Sequence, residues 1–424
     1  MINVGIIGFG TVGSGTAKIL LNNRALIKKR TGLDLNLKRI ADLDVVTDRG
    51  VKVPDGVLTT SASDVLNDPD IQIVVELIGG IQPAKKFILE AIGNGKNVVT
   101  ANKALLATHG EDIFKAAHAQ NRTVGFEAAV AGGIPIIKVL REGLAANNIV
   151  AIYGIINGTS NYILTKMTRE KVAFAPALKE AQALGFAEAD PTFDVEGIDT
   201  AHKLTLLSSL AYGIPLSFDK VYKEGITGIT PTDIQFATEL GYKIKLLAIT
   251  KMSDGEIELR VHPTMIPEDY LISRVDDVLN AVYVIGDAVG ETMYYGRGAG
   301  DMPTGSAVVS DIIDIARGCY RGFGQSELSD YRIKEMRNVE SVYYFRFTAL
   351  DRPGVLSKIS GVLGDHDISI SAVIQKERKF GEAVPLVVLT HKAKEKNVLD
   401  ALDKIDKLSV VADSTKFIRV EGKE

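Results

Sequence analysis

Residues 2–20, INVGIIGFGTVGSGTAKIL, decide the architecture of the first third of the chain. A short apolar run ends at Ile7 and a helix-forming run follows, with Gly8, Gly10 and Gly13 in G-x-G-x-x-G spacing between them. Gly8 permits the tight turn, Gly10 lets the backbone approach a pyrophosphate, and Gly13 brings helix and strand together. The helix start adds N–H donors and a dipole that favours phosphate. Phe9, Thr11 and Val12 complete the same cofactor-binding turn. Chance glycine spacing in a loop would give the same letters, and what separates the two readings is the strand before and the helix after.

The pattern continues outward with strands near 35–41, 71–77, 97–100 and 123–126, and helices from about 83 and about 110. Strand and helix alternating in this way predict a Rossmann-type, doubly wound parallel α/β sheet. Ligands of such sheets bind at the carboxyl ends of the strands, which selects Ile78, Gly79, Thr100, Asn102 and Lys103. Lys103 reads either as a solvated lysine at a helix start or as a functional cation, which there opposes the helix dipole and needs an anionic or polar partner. Asp42 ends the second strand and is placed to accept from ribose hydroxyls, which favours NAD, although it lies further from the glycines than usual. Glu127 precedes a glycine-rich apolar loop that reads as a tight turn feeding a helix, or as carbonyl oxygens and a carboxylate offered to a hard cation.

From Ile149 to about Gly300 the strands become longer and more β-branched, predicting a mixed α+β sheet flanked by helices. Asn157, Gly158 and Thr159 end the first of these strands with donors and acceptors beside a turn. In EADPTFDVEGIDTAHKLTLLSSLAYG (188–213), helical spacing puts Leu206, Leu207, Leu210 and Ala211 on one face with Lys203 in its midst. Asp199 lies one turn earlier on that face. A lysine there either snorkels outward or sits partly desolvated, with a lowered pKa and a transferable proton. The acidic loop before it, with Glu188, Asp190, Asp194 and Glu196, reads as a helix cap around a buried ion pair or as a substrate site. GRGAGDMPTGSAV (296–308) joins a glycine loop that includes Gly300, able to close over a ligand, to a helix returning to the first domain.

The chain has 424 residues, 46% hydrophobic and 24% charged, with net charge -4 and one cysteine, Cys319. Two or three domains are expected at this length. No basic run invites nucleic acid, no apolar run is long enough for a membrane, and one thiol fits a reducing compartment. Strand-like sequence from Ile2 leaves no room for a signal peptide, so a cytoplasmic location is expected. The tail beyond residue 340 gives a βαββαβ order, the ferredoxin-like pattern. Expected domains are therefore 1–135 completed by the 301–318 helix, 136–320, a connector at 321–340, and 341–424. An open apolar sheet in the second predicts a homodimer or homotetramer.

GFGTVG (8–13), TANKALLA (100–107), FEAAVAGGIPII (126–137), INGTSNYIL (156–164), EADPTFDVEGIDTAHK (188–203) and GRGAGDMPTGSAV (296–308) together resemble the homoserine dehydrogenases, and the tail resembles an ACT domain. The resemblance implies NAD(P)-dependent interconversion of an amino-acid aldehyde and its alcohol. Lys203 then looks like the proton donor, Lys103 like a second lysine at cofactor and substrate, and Asp199 like a substrate-site carboxylate. Glu188 looks like the ligand of the substrate ammonium. Glu127 with the backbone of Val130, Gly132 and Ile134 resembles the family's sodium site. ADLD at 41–44 departs from relatives that carry a basic residue near this strand end. The ACT likeness implies an amino-acid effector, threonine by the usual logic of feedback. Its site would be the turn from Asp351 to Gly354, whose free N–H groups meet a carboxylate while Asp351 meets an ammonium.

Two other readings compete. Acylating aspartate-semialdehyde dehydrogenases need an active-site thiolate, and Cys319 lies at the far end of a helix. A non-catalytic dinucleotide and amino-acid sensor would leave Lys203 and its acidic loop without a purpose.

Overall fold

The computed structural model describes residues 1–319, 329–376 and 381–422. Its first sheet contains β1 (Ile2–Ile7), β2 (Leu35–Ala41), β3 (Leu58–Thr59), β4 (Ile73–Glu76), β5 (Asn97–Thr100) and β6 (Val124–Gly125). All neighbours are parallel, in the order β3-β2-β1-β4-β5-β6. The order reverses between β1 and β4, which opens a crevice at their carboxyl ends, and this is the Rossmann-type arrangement. Val74, Val75, Val98 and Val99 are almost fully buried, as strands covered on both faces require.

Four helices frame the crevice: α1 (Thr11–Asn22), α2 (Lys103–Ala119), α3 (Ile198–Tyr212) and α4 (Asp301–Ala316). The helix expected from about 110 begins at Lys103, because the Asn102 side chain accepts from the N–H of Leu105 and caps it there. Although distant in sequence, α4 buries Ala307, Val308, Ile312 and Ile315 in the cluster that holds Val4, Ile6, Ala17 and Leu20. Gly15 and Gly305 let α1 and α4 touch backbone to backbone, since a Cβ on Gly15 would lie 2.2 Å from the Asp301 carbonyl oxygen.

The second sheet is mixed and has twelve strands among the described residues. Along its path it runs Gly290–Arg297, Leu279–Gly286, Ile149–Ile155, Tyr242–Ser253 and Glu256–Pro267, then Val411–Val420, Glu340–Leu350, Ala383–Thr390 and Ile370–Ile374. The last four strands, with the helices Val355–Gly364 and Glu395–Ile405, form the C-terminal βαββαβ unit expected from the sequence. This unit joins the rest of the sheet edge to edge: Thr264 and Met265 pair in parallel with Arg419 and Val420. Pairing satisfies edge N–H and carbonyl groups that both sheets would otherwise leave open. Of the expected connector, residues 321–328 lie outside the described residues, and Arg332–Ile333 adds a short parallel strand beside Glu256–Ile257.

Charged side chains are buried at this seam. Arg260, 1% exposed, meets Glu421 at 2.5 Å and Glu258 at 3.0 Å, while Lys251 reaches Glu421 at 2.6 Å. Arg419, fully buried, holds Glu224 at 2.7 Å and also pairs with Glu395. With burial opposing it, the Glu421 carboxyl is still held down at about 2 by Arg260 and Lys251.

Candidate active site

α3 begins at Ile198, after Gly197 turns the chain with φ +76°, and its first turns point Asp199 and Lys203 at the end of the strand Ile149–Ile155. Lys203 Nζ donates to Asp199 Oδ2 and to the Ile156 carbonyl oxygen, both at 2.6 Å. Lys103, at the start of α2, brings its Nζ to 3.0 Å from Asp199 Oδ1. One buried carboxylate therefore bridges two lysines from different parts of the chain. Burial would raise the Asp199 carboxyl, but Lys203 and Lys103 overcome it and hold it below the usual carboxylate range. Burial depresses the Lys203 ammonium in spite of Asp199, whereas Asp199 raises Lys103.

Asn157 caps the helix Gly158–Glu170 through its Oδ1 and donates Nδ2 to Asp199 Oδ2 at 2.9 Å and Asp194 Oδ1 at 2.7 Å. Burial raises the Asp194 carboxyl above the ordinary value. Lys103, Lys203, Asp199, Asp194, Asn157, Gly158 and Thr159 line a cavity of about 610 Å³. Thr11, Val12, Gly132 and Gly300 complete its wall, so the G-x-G-x-x-G turn and the glycine loop before α4 meet the lysines there. Glu188, in contrast, is exposed and outside the lining; Asp194 takes the inward position among the four acidic residues of that loop.

A second cavity, about 550 Å³, lies along the crevice and is lined by Gly8, Gly10, Asp42, Ile78, Gly79 and apolar side chains including Leu43, Pro83 and Phe87. The turn between the two cavities suits a dinucleotide. Gly8 has φ +103°, and a Cβ there would lie 2.6 Å from the Leu77 carbonyl carbon; on Gly13 it would lie 2.1 Å from the Gly8 oxygen. A Cβ on Gly10 would meet nothing within 4 Å, so this backbone faces open space, and no side chain caps the N–H groups of α1. Asp42 lines the cavity while accepting from the N–H groups of Phe9 and Asp44. Thr100, fully buried, donates its hydroxyl to Glu76 at 2.7 Å and lines neither cavity.

At the expected cation loop, the Glu127 carboxylate accepts from the N–H groups of Ile137 and Lys138, each at 2.8 Å. Its role there is to cap the helix at Ile136, with burial raising its carboxyl to about 7. Val130 and Ile134 are buried, and Gly132 is fixed as glycine by a φ of +53° and by Gly298, whose oxygen would lie 2.4 Å from a Cβ. Among the described residues no cluster of three or more His, Cys, Asp or Glu side chains could hold a metal. Asp351 and Gly354 stand before the helix Val355–Gly364, with Gly354 at φ +85° and Asp351 Oδ1 accepting from Gln375 at 3.3 Å.

Sequence reasoning missed Glu76 and gave Asp194 no separate role. An acidic residue closing an apolar strand, IVVE, was the available signal for the first.

The chain is similar to known proteins along its whole length. Residues 135–313 match the homoserine dehydrogenase family model, 8–127 match the homoserine dehydrogenase NAD binding domain, and 343–408 match the ACT domain. The homoserine dehydrogenase of Neisseria gonorrhoeae is 48% identical over 430 residues, covering 99% of both chains. The crystal structure of a homoserine dehydrogenase from Thiobacillus denitrificans superposes with a TM-score of 0.94 at 51% identity, over 99% of this chain and 98% of that one. A hyperthermophilic archaeal homoserine dehydrogenase, solved in complex with NADPH, matches 76% of this chain and 99% of its own at 29% identity, TM-score 0.64. Identity of this order along the whole length, ACT domain included, makes the chain a member of the homoserine dehydrogenase family.

Proposed function

We propose that the chain catalyses the reversible, NAD(P)-dependent interconversion of L-aspartate 4-semialdehyde and L-homoserine. The observation that carries this is the single buried carboxylate, Asp199, holding Lys203 and Lys103 at the wall of a cavity that also reaches the dinucleotide turn. The dinucleotide, when bound, supplies or takes the hydride. Everything else falls to side chains of the chain. In reduction, Lys203 Nζ donates a proton to the developing alkoxide oxygen; in oxidation it takes the hydroxyl proton. Its depressed pKa favours that transfer, and Asp199 fixes its direction. Lys103 adds positive charge beside the same oxygen. Asp194, facing the cavity, is the nearer partner for the substrate ammonium, with Glu188 contributing from outside the lining.

Finer features belong to the same reading. Asp42 is the sole charged residue lining the second cavity among the described residues, which favours NAD over a cofactor with a 2′-phosphate. A sodium ion at Glu127, Val130, Gly132 and Ile134 would use main-chain carbonyl oxygens, since the Glu127 carboxylate is engaged with N–H groups. Threonine would act through Asp351 and Gly354 of the ACT domain. A homodimer or homotetramer would cover exposed apolar side chains of the second sheet such as Val150 and Tyr295, and a cytoplasmic enzyme of amino-acid biosynthesis would result. The deciding experiment is homoserine-dependent reduction of NAD and of NADP by the purified chain. Turnover with either supports the reading, and nucleotide binding without turnover favours a sensor.

A further inference from the structure

Glu76 is 1% exposed, closes β4, and is held among the described residues by neutral donors. Its Oε1 accepts from the N–H groups of Ile78 at 2.9 Å and Gly79 at 3.3 Å, and its Oε2 accepts the Thr100 hydroxyl at 2.7 Å. Thr100 Oγ1 in turn accepts from the N–H of Asn102 at 3.0 Å. Asn102 then divides its amide: Oδ1 caps α2 through Leu105 N–H at 3.1 Å, and Nδ2 returns to the Gly80 carbonyl oxygen at 2.6 Å. The circuit closes on the loop where it began. Its two halves face different cavities, since Ile78 and Gly79 line the one beside Asp42, while Ala101 and Lys103 line the one beside Lys203.

We propose that Glu76 is a positioning residue that sets the dinucleotide wall and the Lys103 end of α2 from one buried carboxylate. A carboxylate is the side chain suited to this, because it accepts from several donors at once and gives none back. An apolar residue there would leave three donors without acceptors. Burial raises its carboxyl above the ordinary range, which marks the site as an expensive one to keep. A purely structural tie between two strands would not need to reach loops on both sides of a catalytic crevice. This inference rests on the proposed activity for its meaning and on hydrogen bonding for its form.

The test compares the full-length wild type with Glu76→Gln and Thr100→Val, using NADH fluorescence titration for nucleotide affinity and homoserine oxidation for kcat. Glutamine keeps one acceptor and presents donors at the other, so Glu76→Gln should weaken NADH binding and lower kcat, each by about tenfold or more. Thr100→Val cuts only the branch to Asn102 and α2. It should lower kcat at saturating nucleotide and leave the NADH dissociation constant within about twofold. Wild-type affinity and kcat in Glu76→Gln overturn the proposal, as does wild-type kcat in Thr100→Val. Losses that merely follow the unfolded fraction seen by circular dichroism overturn it also. If Glu76→Gln does not fold, Thr100→Val decides alone. An inactive wild type would sink the proposed activity and not the positioning role, because the NADH titrations still compare the two branches.

Discussion

The carbonyl oxygen of Ile156 accepts the Lys203 ammonium at 2.6 Å, from the end of a strand that the lysine's own helix packs against. An ammonium has three N–H bonds. Ile156 takes one and Asp199 takes a second, which leaves one for the cavity that Lys203 lines. A side chain so fixed has one direction in which to give a proton.

Replacing Lys203 with alanine should therefore cut kcat by about 100-fold or more while nucleotide binding survives. Steady-state kinetics together with NADH titration check this. A Lys203→Ala enzyme with near wild-type turnover would remove the lysine from the mechanism.

His202 adjoins Lys203 and stacks between Phe218, with centroids 4.4 Å apart, and Phe193 at 6.3 Å. Burial, helped by the nearby Lys103, Lys223 and Lys203 charges against the pull of Asp199, lowers its pKa to about 4. Between pH 6.5 and 4 the unfolded chain binds the extra proton more readily, so stability falls as the pH falls through that window. Thermal melts should lose several degrees over it, and His202→Phe should flatten that part of the profile. Equal slopes in the two proteins would show that other groups govern it.

Glu421 holds Arg260 and Lys251 across the seam between the two parts of the second sheet. Glu421→Ala removes one of the two anions that the buried Arg260 holds and also the partner of Lys251, which should cost about 3 kcal/mol, the low end for a broken buried pair because Glu258 remains. Urea denaturation measures this. A loss under about 1 kcal/mol, the range of exposed pairs, would mean that water reaches the seam.

Asp351→Ala should shift any threonine inhibition of homoserine oxidation to at least about tenfold higher concentration, by removing the partner of the effector's ammonium. Titrating threonine against wild type and variant tests it. Equal midpoints would move the effector site elsewhere. Shortening the chain near Asn338 is a poorer test than the point variant, because it also strips Arg260 of Glu421.

Most of the first sheet was legible because its signals are local: glycine spacing, four strands of four to seven residues, and helices between them; the two-residue strand Leu58–Thr59 is too short to carry a period and was not expected. The Asp199 and Lys203 pair was legible for the same reason, as two residues one helical turn apart. Which acid of the 188–196 loop turns inward was not, since irregular backbone has no period; the Asn157 amide and the Thr159 and Ser160 hydroxyls, partners remote in sequence, hold Asp194 there. Glu76 was hidden by its setting, because the last residue of a strand points by rules that depend on the next loop. The strand EIELRVH places Arg260 where alternation alone would send it to water or to the core. That choice was made by residues 419–421, which pair with the same sheet far along the chain.

The seam also bears on how such chains are inherited and recombined. A C-terminal domain that merely hung from a connector could be exchanged between relatives by crossing over within the connector. Here Thr264 and Met265 read the backbone of Arg419 and Val420, and Arg260 reads the charge of Glu421. The unit that travels intact is thus the ACT domain together with the strand Glu256–Pro267, and chimeras joined between them would mismatch a buried charge lattice rather than a flexible hinge.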